Sequence, residues 1–400
     1  MGATGSLLVA LECRACCSQV DPSRPTGVCP TCGQTLLASY DLGRLDGRAW
    51  RAEVARRPGW LWRYRELLPV QSTDSIVSLG EGGTPLLPLS DAPEAPGVRL
   101  LLKDDGLLPT GSFKSRGIAV AVSRARELGL TDLFVPSAGN AGLALAAYGA
   151  RARMRVRIYL PDRTAPSLIE SCRRYGAEVV PVPGTIREAG LAAREAEKGR
   201  DSFDMSTLRE PYRVEGKKTM GLEIFDQSPE GAVPDAIVYP TGGGTGLVGM
   251  YKAFSELRIL GLVDRIPRLY AVQPEGCAPV VRALRSGEPR VTPWTDPHTI
   301  APGLLVPAPF SSERILEAVR SSGGAGEVVR DGELLDAMEV LARDHGVSAS
   351  PEAAAPYAAL GKLFRGGQIR AGESVLLYNT GTGLPFSMPE LRRSLAASSG

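Results

Sequence analysis

Asp235-Ala-Ile-Val-Tyr-Pro-Thr-Gly-Gly-Gly-Thr-Gly-Leu247 joins a short apolar run to four glycines in five positions, with a helical pattern from near Leu247. A continuous apolar run bounded by turn residues reads as a strand buried on both faces in a parallel sheet. The glycines let the backbone turn tightly and aim several N–H groups at one point, where a helix N-terminus adds positive potential. Gly242, Gly243, Gly244, Thr245 and Gly246 therefore read as a phosphate cradle. A Walker A loop is excluded because no Lys-Ser/Thr follows. Gly244-x-Gly246-x-x-Gly249 does match the dinucleotide fingerprint, with Glu275 after the strand-like Leu269–Gln273 as a possible ribose ligand, so that reading stays open at this point. A purely structural turn is the bland alternative, set against the folding cost of so many glycines.

Outward from this loop, short apolar runs alternate with helical periodicity from about residue 98, the signature of a parallel sheet with crossover helices. Strands are expected at Leu133–Pro136, Met154–Leu160 and Glu178–Val182, and helices at Ala141–Ala150, Ala165–Tyr175 and over 184–200. Three further loops carry polar chemistry. Pro109-Thr-Gly-Ser-Phe-Lys-Ser-Arg-Gly117 leads into a helix expected over Ile118–Leu128. A lysine at that helix start is disfavoured by the dipole and flanked by apolar residues; its pKa should fall, which suits Lys114 to Schiff-base chemistry. Ser137-Ala138-Gly139-Asn140 again lies between a strand and a helix, where Asn140 can donate to a phenolate-like oxygen and the Ser137 hydroxyl with adjacent N–H groups suits a carboxylate. Asn379-Thr380-Gly381-Thr382-Gly383 follows the apolar run Ser374–Tyr378, at a strand's carboxyl end where α/β sheets collect ligands.

The N-terminal forty residues are different. Of seven cysteines, Cys13, Cys16, Cys17, Cys29 and Cys32 crowd there, and Cys13-x-x-Cys16 with Cys29-x-x-Cys32 is the spacing of a four-thiolate zinc ribbon. Acidic and basic residues balance in it, so the ribbon reads as structural, without nucleic-acid binding. Residues 41 to 70 alternate charge with Trp50, Trp60, Trp62 and Tyr64 and read as helical packing material. Ser286–Pro309 is Pro-rich and expected to be irregular, and the tail after Leu391 to be frayed. The net charge of +2 over 400 residues offers no broad surface for nucleic acid or anionic lipid. Neither a secretory signal nor a membrane-spanning run is present, so a soluble cytoplasmic protein with a small-molecule partner is expected.

Taken in chain order, these motifs resemble the fold type II pyridoxal-phosphate enzymes, the tryptophan synthase β-like fold, and within them the threonine synthase family most closely. The resemblance runs from Glu81-Gly-Gly-Thr-Pro-Leu86 to Gly383, and the ribbon is common in the family too. It implies two α/β domains with the cofactor in the cleft, plus a small N-terminal zinc-ribbon-like module. The expected boundaries are 1–40 for the ribbon, 41–97 for a helical linker and the start of the large domain, 98–215 for a smaller domain carrying Lys114 and the Asn140 loop, and 216–400 for the larger domain. By the same resemblance Lys114 would form the Schiff base and shuttle protons, Asn140 would bond the cofactor O3′, and Gly242 to Gly246 would hold its phosphate. Thr380 would face the pyridine nitrogen, a neutral partner that favours elimination and replacement over transamination. Thr84 and the loop Ser137, Ala138, Gly139, Asn140 and Ala141 would approach the substrate, and Arg213 in Pro211-Tyr-Arg-Val-Glu-Gly216 would meet a substrate phosphate. A homodimer is implied as well.

Two departures bear on the substrate. Ser115 stands where family members carry Asp, and Ala138 where they carry Ser or Thr, as in dehydratase-like relatives. The expected reaction is O-phosphohomoserine plus water to threonine plus phosphate. A threonine or serine dehydratase-like or cysteate synthase-like enzyme is the alternative. A nicotinamide-dependent dehydrogenase would leave the Ser-Phe-Lys and Ser-Ala-Gly-Asn motifs unexplained, and a non-catalytic ribbon protein would leave the whole constellation without use.

Overall fold

The computed structural model describes residues 5–137, 139–229 and 232–398. The strands are β1 (Leu8–Glu12), β2 (Gln19–Val20), β3 (Leu37–Tyr40), β4 (Leu86–Pro88), β5 (Arg99–Asp104), β6 (Asp132–Pro136), β7 (Arg155–Pro161), β8 (Glu178–Val182), β9 (Phe203–Asp204), β10 (Ala236–Pro240), β11 (Arg268–Pro274), β12 (Gly326–Val329) and β13 (Ser374–Asn379). The α-helices are α1 (Gly47–Ala55), α2 (Lys114–Glu127), α3 (Asn140–Ala152), α4 (Pro166–Arg174), α5 (Ile186–Ala196), α6 (Tyr212–Gln227), α7 (Thr245–Ile259), α8 (Pro279–Ser286), α9 (Ser312–Ser321), α10 (Asp331–His345), α11 (Pro351–Arg365) and α12 (Met388–Ser398).

They form two compact units. One comprises the chain up to Gly83 together with Lys114–Thr219, the other Thr84–Phe113 with Met220–Gly400. The first holds an antiparallel sheet of order β2-β1-β3 and a four-stranded sheet β8-β7-β6-β9. The latter is parallel throughout, with α3 following β6 and α4 following β7. Leu133, Val135, Ile158 and Leu160 bury the face that meets Ile118, Val122, Leu145 and Tyr148. The same core takes in Leu8, Leu11 and Leu36, so the ribbon shares it. Helix α5 starts on a capping box, with Thr185 and Glu188 satisfying each other's backbone ends. Glu66 is buried where it accepts from Trp50 Nε1 at 3.0 Å and from Arg57.

The second unit is built on the sheet β12-β11-β10-β13-β5-β4, parallel except for β4 against β5. Strands β10 and β13 are buried at every position, as their unbroken apolar runs require. Helix α11 packs on them through Ala353, Ala354 and Leu360, its first turn capped by Ser350 accepting from Ala353 N.

Several expectations shift. Strand β5 pairs with β13 over six positions, from Arg99↔Ser374 to Asp104↔Asn379, so residues 98–113 belong with the larger unit. Residues 41–83 fall in the unit of the ribbon instead of starting the large domain, and the far division lies inside α6, after Thr219. Helix α2 begins at Lys114, a turn earlier than the apolar periodicity indicates. The segment after Leu391 is helical, because Leu391 and Leu395 pack on the core. Among the described residues no helix is long and apolar enough to cross a membrane.

Candidate active site

In the larger unit the loop between β10 and α7 is locked by sterics. Gly244 is the N-cap of α7 with φ +69°, the left-handed region that side chains disfavour. A Cβ on Gly242 would lie 2.5 Å from the Gly303 carbonyl oxygen, one on Gly244 2.3 Å from Ile315 Cδ1, and one on Gly246 2.1 Å from Tyr239 Oη. Gln273 braces the base, donating to Thr241 O at 3.0 Å while accepting from Val280 and Val281 N. Buried Thr245 opens the fifteen-residue α7, whose free N–H groups and dipole suit an anion.

Beside it, Thr110 to Phe113 runs along Thr380 to Thr382. Phe113 N donates to Thr380 O at 2.9 Å, Thr382 N to Gly111 O at 2.9 Å, and Ser112 bridges to Gly381. Thr380 is buried at the end of β13. Thr84 Oγ1 donates to Asp105 Oδ1 at 2.8 Å, and Tyr378 Oη donates to the other carboxylate oxygen at 2.9 Å. Lys103 Nζ holds the Thr84 carbonyl at 2.6 Å and is neutralised by Glu223 at 2.9 Å. Burial, with the adjacent Asp105 charge, lifts Asp104 above its ordinary value. Tyr239 packs edge-on against Phe113 and Tyr378. Its buried hydroxyl and that of Ser112 have no hydrogen-bond partner among the described residues. Sequence reasoning missed Lys103, Asp105, Tyr239 and Tyr378. The available signal was three charges closing an apolar strand, Leu100 to Asp105, which an exposed strand end would also show.

In the smaller unit Lys114 is the first residue of α2, half-buried, and joined by its peptide bond to Phe113. Gly117 of α2 and Gly216 of α6 let these helices meet, since a Cβ on either would lie within 3 Å of the other's backbone, Arg213 O and Arg116 O respectively. The Arg213 backbone thus meets α2 at Gly117, one turn along that helix from its first residue, Lys114. Arg213 is 2% exposed, its Nη1 donates to Met205 O at 2.6 Å, and its Nε has no hydrogen-bond partner among the described residues. Burial pushes the Glu210 carboxyl up to about 7, opposed by the Arg213 charge and by N–H bonds from Tyr212 and Arg213. Helix α3 packs on α2 and starts at Asn140; Gly139, Asn140 and Ala141 are half-buried. The Ser137 hydroxyl is committed to its own loop, accepting from Gly139 N at 3.2 Å and Gly142 N at 2.8 Å while facing Gly139 O. Ala138 lies outside the described residues. Glu81 is an anchor, buried where Trp62 Nε1 and Tyr148 Oη donate to it.

Cys13, Cys16, Cys29 and Cys32 come together with their sulfurs within 4.8 Å of one another. Cys13–Cys32 is 3.4 Å and Cys16–Cys29 3.6 Å, close to the roughly 3.8 Å edge of a tetrahedron with zinc–sulfur bonds of about 2.3 Å.

Residues 77–381 match the family model described as "Pyridoxal-phosphate dependent enzyme". The threonine synthase of Methanocaldococcus jannaschii is 34% identical over 91% of this chain and 90% of its own. That of Methanosarcina acetivorans is 36% identical over 93% and 91%. Maize serine racemase, 21% identical, superposes with a TM-score of 0.67 over 79% of this chain and 92% of its own, a likeness of fold. Glycine cradle, helix-start lysine and matched relatives agree: the chain belongs to the fold type II pyridoxal-phosphate-dependent enzymes and is threonine synthase-like.

Proposed function

We propose that the protein converts O-phosphohomoserine and water to threonine and phosphate, with Lys114 as the cofactor lysine. The observation that carries the substrate is Arg213, a buried guanidinium whose Nε has no hydrogen-bond partner among the described residues and whose backbone meets Gly117 of the helix that Lys114 starts. The relatives' names favour the same reaction.

The residues fit pyridoxal phosphate. Gly242, Gly244 and Gly246 let the loop close against Gly303, Ile315 and Tyr239, and the N-terminus of α7 offers N–H donors for its phosphate. Asn140 suits its phenolic oxygen and Thr380 its ring nitrogen. When bound, the cofactor supplies an electron-withdrawing ring that acidifies the hydrogens of an attached amino acid. Lys114 would take the proton from Cα and return one there at the end. Arg213 would hold the substrate phosphate through charge-assisted bonds and stabilise the charge that develops as the Cγ–O bond breaks. Thr84, oriented by Asp105, and the Gly139 to Ala141 backbone would fix the substrate; a Cβ proton would leave as the Cγ–O bond breaks, Cγ would be protonated to become the methyl group, and water would add its hydroxyl at Cβ. The four N-terminal thiolates would hold a structural zinc, since thiolate-only ligation leaves no open position. Metal analysis should find about one zinc per chain.

The test is incubation with O-phosphohomoserine and measurement of both products, which should appear in equal amounts. Arg213→Ala should lower kcat/KM by about 2–4 kcal/mol of transition-state stabilisation. Release of ammonia from serine or threonine, with O-phosphohomoserine untouched, would establish the dehydratase-like reading that Ala138 favours.

A further inference from the structure

The ribbon makes specific contacts with one segment of its unit, and that segment carries Arg213. Thr35 Oγ1 donates to the Leu208 carbonyl at 2.8 Å. Leu208 is 1% exposed and has φ +60°, a left-handed conformation costing a branched side chain about 1–2 kcal/mol. Such a backbone persists only where its surroundings over-determine it. Gly27 comes so close that a Cβ there would lie 2.9 Å from the Arg209 carbonyl oxygen. Beyond Arg213, Tyr40 at the end of β3 donates its hydroxyl to Glu215 Oε2 at 2.9 Å. Lys218 Nζ sits 3.9 Å above the Tyr40 ring and 2.9 Å from the same carboxylate. Tyr40, Glu215 and Lys218 are all buried, so these contacts are little screened.

We infer that the N-terminal ribbon is a positioning element for the substrate-phosphate arginine, clamping Leu208–Arg209 before it and Glu215–Lys218 after it through Thr35, Gly27 and Tyr40. The knuckle Cys29–Cys32 places Thr35 directly. Val28 bridges to Thr35, and Cys29 N donates to Gln34 O at 2.8 Å. A folded knuckle therefore fixes the hydroxyl that holds Leu208, and the backbone so held sets where the Arg213 side chain begins. Thr35 and Tyr40 act through Arg213 and touch no reacting group. The inference rests on the reading of Arg213 given above.

Thr35→Val and Tyr40→Phe, combined in the cofactor- and metal-loaded enzyme, remove the two hydroxyls and keep the ring beneath Lys218. Amide exchange over 205–218 should quicken. Inhibition by inorganic phosphate and the KM for O-phosphohomoserine should weaken about tenfold, as for disturbing one charge-assisted bond, with any fall in kcat no larger than that and the cofactor absorbance unchanged. Thr35→Ser, which keeps the hydroxyl, should behave as wild type. Unchanged exchange and phosphate inhibition would overturn the inference, as would an even loss of kcat and cofactor content, which marks general destabilisation. If Arg213→Ala weakens phosphate inhibition while the double variant does not, the inference alone fails. If Arg213→Ala leaves phosphate inhibition intact, the substrate reading fails and takes the inference with it.

Discussion

Two loops occupy the same topological place in the two units, each between the carboxyl end of a parallel strand and the helix that follows, yet they are held by opposite means. The β10–α7 loop is fixed by what is missing: Gly242, Gly244 and Gly246 each touch a neighbour where a side chain would begin. The β6–α3 loop is fixed by what is present, the Ser137 hydroxyl gathering the N–H groups of Gly139 and Gly142. Gly139 itself has φ 168°, extended backbone, and a Cβ there would meet nothing nearer than Leu168 Cδ2 at 3.7 Å. A loop closed by sterics cannot adjust. One closed by a hydroxyl can loosen at modest cost, which suits the substrate-contacting role proposed for it.

This contrast breaks first at Gly246. Gly246→Ala drives a methyl into the buried Tyr239 hydroxyl and should cost about 1–3 kcal/mol as overpacking, seen as a lower unfolding midpoint together with loss of bound cofactor. Gly244→Ala should be nearly as severe, because its φ of +69° adds about 1 kcal/mol of strain to the clash with Ile315. Ser137→Ala should cost about 1 kcal/mol, the value of a loop-capping hydroxyl, with cofactor retained and faster amide exchange over 139–142. Gly139→Ala should change the unfolding midpoint least, within about 0.5 kcal/mol. A reversed order of Gly246→Ala and Gly139→Ala would show that glycine content, and not close approach, governs these loops.

The contrast also explains what the sequence reveals. The glycine cradle is legible because sterics leave a compositional trace, and β6, β7, β10 and β13 are legible because strands buried on both faces must be largely apolar. Lys114 stands out for the same local reason, a cation at a helix start. The network of Thr84, Asp105 and Tyr378 does not stand out, since Asp105 and Tyr378 are 273 residues apart and only the pairing of β5 with β13 joins them. The clasp of the ribbon on Leu208 spans 173 residues and leaves no periodicity either. The grouping of Arg99–Asp104 with β13 is not legible for the same reason, because that segment looks like any βα start until its partner strand is known.

The cofactor's attachment to Lys114 is the test of the whole site. Borohydride reduction of the purified holoenzyme, followed by digestion and mass spectrometry, should find the pyridoxyl group on the peptide containing Ser112-Phe-Lys114 and abolish the visible absorbance. A reduced adduct on another lysine, or a protein with neither absorbance nor adduct, would contradict it.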